Sequence, residues 1–404
     1  MRPPAASPGP RGGADAVTAV TSQPGMRVLF AVLLAGVCAF VNLYATQPLL
    51  PVLARAFGVG KAQAALTVSA PTIAVALASP FAGVLADRVG RRRVIVASVF
   101  LLTIPTALAA TSGSITALVA WRFLQGLAVP GVHAVAIAYI GEAWEGGGIG
   151  RALAALVTGN VVGGFIGRVL AGMTADWLGW RGAFVVLALA TLAGAIGVWR
   201  WLPEPRRRRS SPASTPARRS LRALATGRLV ATYAVGFNVL FTLVATFTYV
   251  TFYLSDPPFS LGPVALSWMF VVYLAGAFVT PFAGRWLDRV GPRPTLLGAV
   301  ACGIAGGAIT LVPHLWSVAL GLVLCCSAAF VSQSASTSFL HRAAPRDAVA
   351  SASGVYVSSY YLGGSAGGIL PAFAFQAGGW PACLGLIALV QLVSAVIATR
   401  AWRA

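Results

Sequence analysis

Long apolar runs alternate with short charged segments along almost the whole chain. Each run is about the length that an α-helix needs to cross a bilayer, roughly 20 residues. The pattern therefore predicts an all-α membrane protein with 12 transmembrane helices, which we number span 1 to span 12. The runs begin near Val28, Ala64, Val94, Ile115, Ala152, Ala183, Leu229, Val264, Thr295, Ser317, Ala350 and Leu384.

A charged segment between two runs occurs twice, as GVLADRVGRRR at 83–93 and as GRWLDRVGPRP at 284–294. The interval of 201 positions pairs Asp87 with Asp288, Gly90 with Gly291, Gly163 with Gly364 and Gly167 with Gly368. The repeat predicts two pseudo-symmetric six-helix halves. Internal duplication of this kind is typical of transporters, which bind their solute between the repeats.

Composition agrees with a lipid bilayer as the main partner of the chain. Hydrophobic residues make up 58% of the sequence and charged residues 9%, against roughly 25% charged in a soluble domain. The net charge is +20, but the basic residues lie in alternate loops and in both tails. The opposite loops hold only Arg55, Lys61 and Arg181. This distribution predicts cytoplasmic N- and C-termini and argues against nucleic acid as a partner.

The chain divides into four segments. Residues 1–25 are rich in Pro, Ala and Gly and predict a disordered cytoplasmic tail rather than a signal peptide, with Met26 as an alternative start. Residues 26–202 and 228–404 are expected to form the two six-helix bundles. Residues 203–227 combine Arg, Pro and Ser and predict a flexible cytoplasmic linker.

No enzyme constellation, cofactor motif or metal-ligand spacing occurs in the sequence. The five cysteines all lie inside apolar runs, where they behave as small hydrophobes. The sequence also lacks the GxxxxGK[ST] pattern that cradles ATP phosphates. We therefore expect no catalysis, no cofactor and no bound metal, and we expect transport energy to come from an ion gradient.

The repeated hairpin has a physical rationale. Gly83 and Gly90 permit close backbone approach and a tight turn. Asp87 lies at the cytoplasmic end of span 2, where it can face the N-terminus of a neighbouring helix or a loop arginine and so hold one conformation. Gly284, Asp288 and Gly291 are the second copy, for which we expect a weaker role. The alternative is a topology anchor without a gating role.

Charge inside the spans indicates where the functional centre lies, because a charged side chain at bilayer depth faces protein or water. Arg122 in span 4 and Arg168 in span 5 meet this description. At 100° per residue, His133 lies about 20° and Gln125 about 60° from Arg122 around the helix. We therefore assign Arg122, Gln125 and His133 to one polar face of a central cavity. Two arginines with no acidic residue inside a span predict an anionic or strongly hydrogen-bonding solute.

His133 is the titratable group that we expect to carry a coupling proton, because imidazole has a reference pKa of roughly 6.5. The alternative is a hydrogen-bonded packing residue. Arg168 has its own alternative, which is a bond to a backbone carbonyl or an outward-reaching side chain.

Two further sets of residues are candidates. Polar and aromatic positions inside the spans are expected to line the substrate cavity, although each could instead bond a neighbouring helix; they are Asn42, Tyr44, Gln47, Asn160, Asn238, Phe241, Gln333, Tyr356 and Tyr360. Small residues at four-residue spacing predict close helix packing between the two halves, with ordinary packing as the alternative; they are Gly159, Gly163 and Gly167 in span 5 and Gly364 and Gly368 in span 11.

These motifs resemble those of the major facilitator superfamily, and the resemblance covers nearly everything from Met26 onward. GVLADRVGRRR resembles the signature between helices 2 and 3, with Gly83, Asp87, Arg88, Gly90 and Arg91 at matching positions. RFLQG at 122–126 resembles the helix 4 motif through Arg122, and GNVVGGFIG resembles the glycine-rich helix 5 antiporter motif, with Val162 where proline is usual.

The resemblance implies a fold of two six-helix halves, a hairpin that latches onto span 11 in the outward-facing state, and the arabinose-efflux-permease or drug–proton antiporter branch. We expect a monomeric secondary transporter in the cytoplasmic membrane. It would export small organic solutes, such as drug-like compounds, sugars or metabolites, by alternating access coupled to protons. The alternatives are an importer or facilitator of the same fold and a transporter-like membrane sensor.

Overall fold

The computed structural model describes residues 25–144, 148–204, 224–345 and 348–402. Within these ranges the regular structure is entirely helical. The predicted tail before Gly25 and most of the predicted linker lie outside the described residues. Among the described residues, nine helical stretches are long and apolar enough to cross a membrane.

The first half contains spans 1 to 6. Span 1 consists of two helices separated by the turn Gln47–Leu49, and a single helix of 53 residues carries spans 5 and 6 with a break at Gly179, where φ is 69°. The helices are Met26–Leu43 and Leu50–Phe57 (span 1), Lys61–Val89 (span 2), Arg91–Ala109 (span 3), Ile115–Ala143 (span 4) and Ile149–Trp201 (spans 5 and 6).

The second half repeats this plan and completes the predicted 12 spans. Its last helix breaks at Gly379, where φ is 63°, so that its first turns end span 11 and the remainder forms span 12. The helices are Gly227–Ser255 (span 7), Pro263–Trp268 and Val272–Val290 (span 8), Pro292–Ile309 (span 9), Leu315–Ala343 (span 10), Val349–Ile369 (span 11) and Pro371–Ala401.

The repeated hairpin turns as predicted at its second glycine. Gly90 has a φ of 105° and Gly291 a φ of 85°, a region that side chains with a Cβ rarely adopt, and each glycine ends one span and begins the next. The expected close approach at Gly83 is wrong for this conformation. No atom lies within 4 Å of the place where a Cβ would sit on Gly83 or on Gly284.

Four of the five predicted stripe glycines pack within their own half, which corrects their prediction as contacts between the halves. Gly159, Gly163 and Gly167 lie against the backbone carbonyls of Leu33, Val37 and Val41 in span 1. Because glycine has no Cβ, spans 1 and 5 approach at the distance of backbone contact. In span 11, Gly364 lies against Leu240 of span 7, and Gly368 alone of the five predicted positions faces the other half, at Ser69.

The packing also corrects the predicted pairing of the two stripes. Gly159 lies on the carbonyl of Leu33, and Gly363 lies on the carbonyl of Phe237. The two glycines are 204 positions apart in the sequence, and so are the two residues that they contact. The equivalents of Gly159 and Gly163 are therefore Gly363 and Gly367, not residues at the hairpin's interval of 201. Loops of unequal length shift the interval from one pair of spans to the next, so no single interval applies to the whole repeat.

The two halves meet at one end of the bundle, which we call the Lys61 end. There Lys61 forms an ion pair of 2.7 Å with Asp256, and Thr72 of span 2 hydrogen-bonds Ser365 of span 11 at 2.8 Å. Nearer the middle, the hydroxyl of Ser358 donates to the carbonyl of Ala76 at 3.2 Å. These contacts close the bundle from the Lys61 end down to its middle.

The opposite end, which carries Asp87, is held differently. Asp87 is 69% exposed and pairs with Arg91 of its own half at 3.5 Å, and Arg91 also pairs with Glu142 at 3.0 Å. Arg88 and Asp288 are exposed. Among the described residues no ion pair joins the two halves at this Asp87 end.

Placing a methyl group at Gly163 should separate spans 1 and 5. An added Cβ would lie 2.6 Å from the carbonyl oxygen of Val37, which is backbone and cannot rotate away. We expect Gly163→Ala to lower stability by about 1–3 kcal/mol, measured as a fall in the melting temperature of the purified protein. Gly83→Ala is the control, because its Cβ meets open space. Equal melting temperatures for the two variants would contradict the packing described above.

Candidate functional site

Two helix interruptions in the first half leave backbone carbonyls without their helical donors. Pro71 lies inside span 2 and has no N–H to offer the carbonyl of Thr67, one turn earlier. Span 1 stops after Leu43, ahead of Pro48, so that the carbonyl of Leu43 also loses its donor. Unpaired carbonyls are costly inside a membrane, so another group must supply the hydrogen bonds.

Arg122 supplies these hydrogen bonds. Its Nε donates to the carbonyl of Thr67 at 2.9 Å, Nη1 to that of Asn42 at 2.7 Å, and Nη2 to that of Leu43 at 2.6 Å. Nη1 also donates to Oε1 of Gln125 at 2.5 Å. The side chain is 0% exposed. Arg122 therefore joins spans 1, 2 and 4 where two of them are interrupted.

Neutral side chains extend this hydrogen-bond network to spans 3 and 6. Gln125 donates to Thr106 at 2.8 Å, and Thr106 donates to Oδ1 of Asn42 at 3.1 Å. Asn42 in turn donates to Thr191 at 2.8 Å. All four side chains are buried. We call Asn42, Thr106, Arg122, Gln125 and Thr191 the first-half polar network.

The network corrects the assignment of Arg122, Gln125 and Asn42 to the central cavity. Helical spacing correctly placed Arg122 and Gln125 on neighbouring faces of span 4, and the two side chains touch. Spacing does not show what a face is packed against, however, and this face meets the other spans of its own half. The guanidinium has no side facing a cavity.

Arg168 lies where the two halves meet. Its Nε donates to Oε1 of Gln47 at 2.8 Å and its Nη1 to the carbonyl of Gly164 at 2.7 Å. Gln47 in turn donates to Thr248 of the second half at 3.3 Å. The side chain is 2% exposed. Among the described residues, Nη2 has no hydrogen-bond acceptor and no carboxylate pairs with the guanidinium.

Three aromatic rings surround this guanidinium, two of them from the second half. Its central carbon lies 4.5 Å from the ring centre of Tyr273, 4.7 Å from that of Phe270 and 5.1 Å from that of Tyr44. Ring faces attract a cation, with about 0.5–2 kcal/mol for each good contact. Among the described residues, ring faces rather than a carboxylate thus accompany the guanidinium of Arg168.

Four tyrosines lie in the same region. In the described parts of the chain, the hydroxyls of Tyr44, Tyr273, Tyr360 and Tyr361 have no hydrogen-bond partner. Tyr44 lies within electrostatic reach of Arg168, Tyr273 and Tyr361. We call Arg168 and these four tyrosines the Arg168 site.

His133 lies apart from Arg122 and forms a pair with span 5. Nδ2 of Asn160 lies 3.1 Å from Nδ1 of His133, and the ring of Phe40 lies edge-on at 5.6 Å. His133 and Asn160 are both half-buried. Oδ1 of Asn160 is buried and has no partner among the described residues.

The other predicted cavity residues divide between packing and the site. Asn238 donates to Ser394 within the second half at 2.9 Å, and Phe241 is buried against span 11. Gln333 is half-buried. Tyr356 shares a hydrogen bond of 2.6 Å with Ser336, and its ring stacks on that of Tyr360, which brings it to the edge of the Arg168 site.

Sequence reasoning missed the second half's contribution to this site. Phe270 and Tyr273 lie in the apolar run of span 8, and Tyr361 adjoins the predicted Tyr360. Aromatic residues are common in membrane spans, so their type gave no signal. Only the contact between the halves brings them to Arg168.

Comparisons with known proteins identify the class. The sequence profile described as Major Facilitator Superfamily matches residues 32–368 and 258–403. The chain belongs to the major facilitator superfamily, whose members are multi-pass membrane transporters.

Individual relatives agree with this assignment. The chain is 30% identical over 376 residues to the uncharacterized MFS-type transporter YybF of Bacillus subtilis, covering 91% of each chain. It is 31% identical to the inner membrane transport protein YnfM of Escherichia coli, covering 94% of this chain and 91% of that protein. A bacterial homolog of the human lysosomal transporter Spinster has the same fold, with a TM-score of 0.75 at 18% identity, covering 93% and 96%.

Removal of the charge should cost different amounts of stability at the two buried arginines. We expect Arg122→Met to lower stability by about 1–3 kcal/mol for each carbonyl left without a donor. Arg168→Met should cost less, because it leaves one acceptor, Oε1 of Gln47, without a donor, while the carbonyl of Gly164 keeps its helical donor. Melting temperature and gel-filtration profile of the purified variants measure the difference. A fully stable Arg122→Met protein would contradict the structural role of Arg122.

Proposed function

We propose that the protein exports small organic anions across the cytoplasmic membrane by alternating access, driven by inward movement of protons. The observation that carries this proposal is Arg168. Among the described residues it is a buried cation with a free Nη2 and no acidic partner, and the rings of Tyr44 and Tyr273, whose hydroxyls have no hydrogen-bond partner there, lie beside it. A carboxylate or sulfonate supplies the missing charge and accepts from these donors.

The position of the site supports alternating access. Arg168 belongs to the first half, whereas Phe270 and Tyr273 belong to the second, so relative motion of the halves changes what covers the guanidinium. With the basic loops in the cytoplasm as predicted, the closed Lys61 end faces outward and the conformation is inward-facing. Opening of the Lys61 end would break the Lys61–Asp256 pair and withdraw both rings.

Competition between aromatic rings and solute then gives a physical basis for release. In the outward-facing state the rings of Phe270 and Tyr273 move away from Arg168, and water reaches the guanidinium. The bound anion then exchanges its hydrogen bonds to the protein for hydrogen bonds to water. In the state described above, the rings hold the guanidinium in place and Nη2 remains available to the anion. Each ring contributes about 0.5–2 kcal/mol, which is comparable to a charge-assisted hydrogen bond.

His133 and Asn160 are the proposed proton-coupling pair. A neutral imidazole accepts from the amide of Asn160 at Nδ1. Protonation converts that nitrogen to a donor, so the amide must turn and present Oδ1, the atom that now has no partner among the described residues. One proton thus rearranges a contact between spans 4 and 5, and span 5 also carries Arg168.

The substrate class is tested by flux of a solute panel into inverted vesicles, with and without an imposed pH gradient. The panel contains aromatic carboxylates, their neutral amides and lipophilic cations. We expect carboxylates to compete best, and Arg168→Met to weaken their competition about tenfold to a hundredfold by removing charge-assisted hydrogen bonds. Competition by amides or cations equal to that of carboxylates would contradict an anionic substrate.

Proton coupling is tested separately by His133→Gln, which keeps a hydrogen-bonding side chain but cannot titrate. We expect the variant to lose stimulation by the pH gradient and to retain solute exchange at equal pH, because only the driving step needs the proton. His314→Gln, at an exposed loop position, is the matched control. Gradient-stimulated flux that survives in His133→Gln would dismiss His133 as the coupling group.

A further inference from the structure

The second half has a position equivalent to each member of the first-half polar network. The intervals are fixed by packing and by turns: 204 for spans 1 and 7, 201 for spans 3 and 9, and 200 for spans 4 and 10 and for spans 6 and 12. At these intervals Asn42, Thr106, Arg122, Gln125 and Thr191 correspond to Thr246, Gly307, Leu322, Cys325 and Gln391.

Span 7 explains why the arginine has no counterpart. Its helix Gly227–Ser255 runs without interruption past Thr246, so its carbonyls keep their helical donors. Leu322, at the place of Arg122, therefore has no freed span 7 carbonyls to satisfy. The substitution removes the centre of the network, while Thr246 and Gln391 keep their polar groups.

Smaller side chains at two other positions leave space between spans 7, 9, 10 and 12. Gly307 replaces a threonine and Cys325 a glutamine at the equivalent positions. A pocket of about 250 Å³ occupies this space, lined at its inner end by Thr246, Gly307, Cys325 and Gln391. We call it the lateral pocket.

Two polar atoms at the inner end of the lateral pocket have no hydrogen-bond partner. Thr246 is 1% exposed and Gln391 is 8% exposed, and in the described parts of the chain Oγ1 of Thr246 and Oε1 of Gln391 are both unpaired. A buried amide oxygen without a donor costs about 1–3 kcal/mol. Both atoms are closed to water in this conformation, so a hydrogen-bond donor at the inner end would satisfy them after a small shift of the surrounding side chains.

The mouth of the lateral pocket has the opposite chemistry. Leu311, Pro381 and Gly385 line it and are exposed, and the pocket's lining contains no charged residue. Exposed apolar side chains on a membrane span face lipid. The volume lies below the roughly 300–1,000 Å³ of drug-sized sites. Access is from the membrane, and the occupant is small.

We propose that the lateral pocket binds a small neutral amphiphile, with one hydroxyl group on a short hydrocarbon chain, that enters from the surrounding lipid. The hydroxyl donates to Oε1 of Gln391 and accepts from the hydroxyl of Thr246. The hydrocarbon chain lies toward Leu311 and Pro381. This site is separate from the Arg168 site and does not depend on the proposed transport activity.

Photolabelling of the full-length protein in lipid nanodiscs tests the site, with a diazirine analogue of 1-octanol as the probe. Peptide mapping by mass spectrometry should find label in residues 303–311 and 381–391, and unmodified octanol should compete. The methyl ether of the probe, which cannot donate, should label these peptides about threefold to tenfold less. Gln391→Leu should remove this difference between the two probes.

Gly385→Phe should abolish the labelling, because the added ring has open space at Gly385 and fills the pocket. Leu389→Phe, at an exposed position outside the pocket on the same helix, is the matched control and should label as the wild type does. Label outside these peptides, or equal labelling by alcohol and ether, would overturn the proposal. The ether comparison uses the wild-type protein, so it decides the matter even if a variant fails to fold.

Discussion

Every carbonyl that loses its helical donor inside the membrane must find another one, and this constraint organises the first half of the molecule. Span 1 stops at Leu43 and span 2 carries Pro71, so carbonyls of two neighbouring spans face one place. A guanidinium has five donors in a rigid arrangement, and Arg122 distributes them over both interruptions. The interrupted helices therefore depend on Arg122 for hydrogen-bond donors, and the buried guanidinium depends on their carbonyls for acceptors.

The two halves share a backbone plan but divide the chemical tasks. Glycines on span 5 and span 11 seat their helices on spans 1 and 7 in the same way. By contrast, the first half has a polar network of five side chains, and only two of the five equivalent positions in the second half, Thr246 and Gln391, have a side chain with a hydroxyl or amide group. Arg168 is held by the first half, and the second half supplies rings rather than charges to it. The asymmetry places the only cation of the Arg168 site on one half.

The sequence predicted the fold because the thickness of the bilayer sets the length of the hydrophobic runs. The duplicated hairpin in turn depends on local turn geometry, which the sequence also shows. The sequence also located Arg122 and Arg168 as buried charges. It could not tell their roles apart, because a side chain's partner depends on which helix lies opposite. Tyr273 and Phe270 come near Arg168 only when the halves dock. The sequence also could not show which residues of the two halves are equivalent, because loops of unequal length change the interval from one pair of spans to the next.

In the alternating-access cycle proposed above, the hydrogen bond from Ser358 to the carbonyl of Ala76 links two events. Pro80, one turn further on, cannot donate to that carbonyl, and the partner that does belongs to the opposite half. When spans 2 and 11 part at this level, a solvent molecule must take the place of the serine hydroxyl. In that proposed cycle, separation of the halves and entry of water between spans 2 and 11 are therefore a single event.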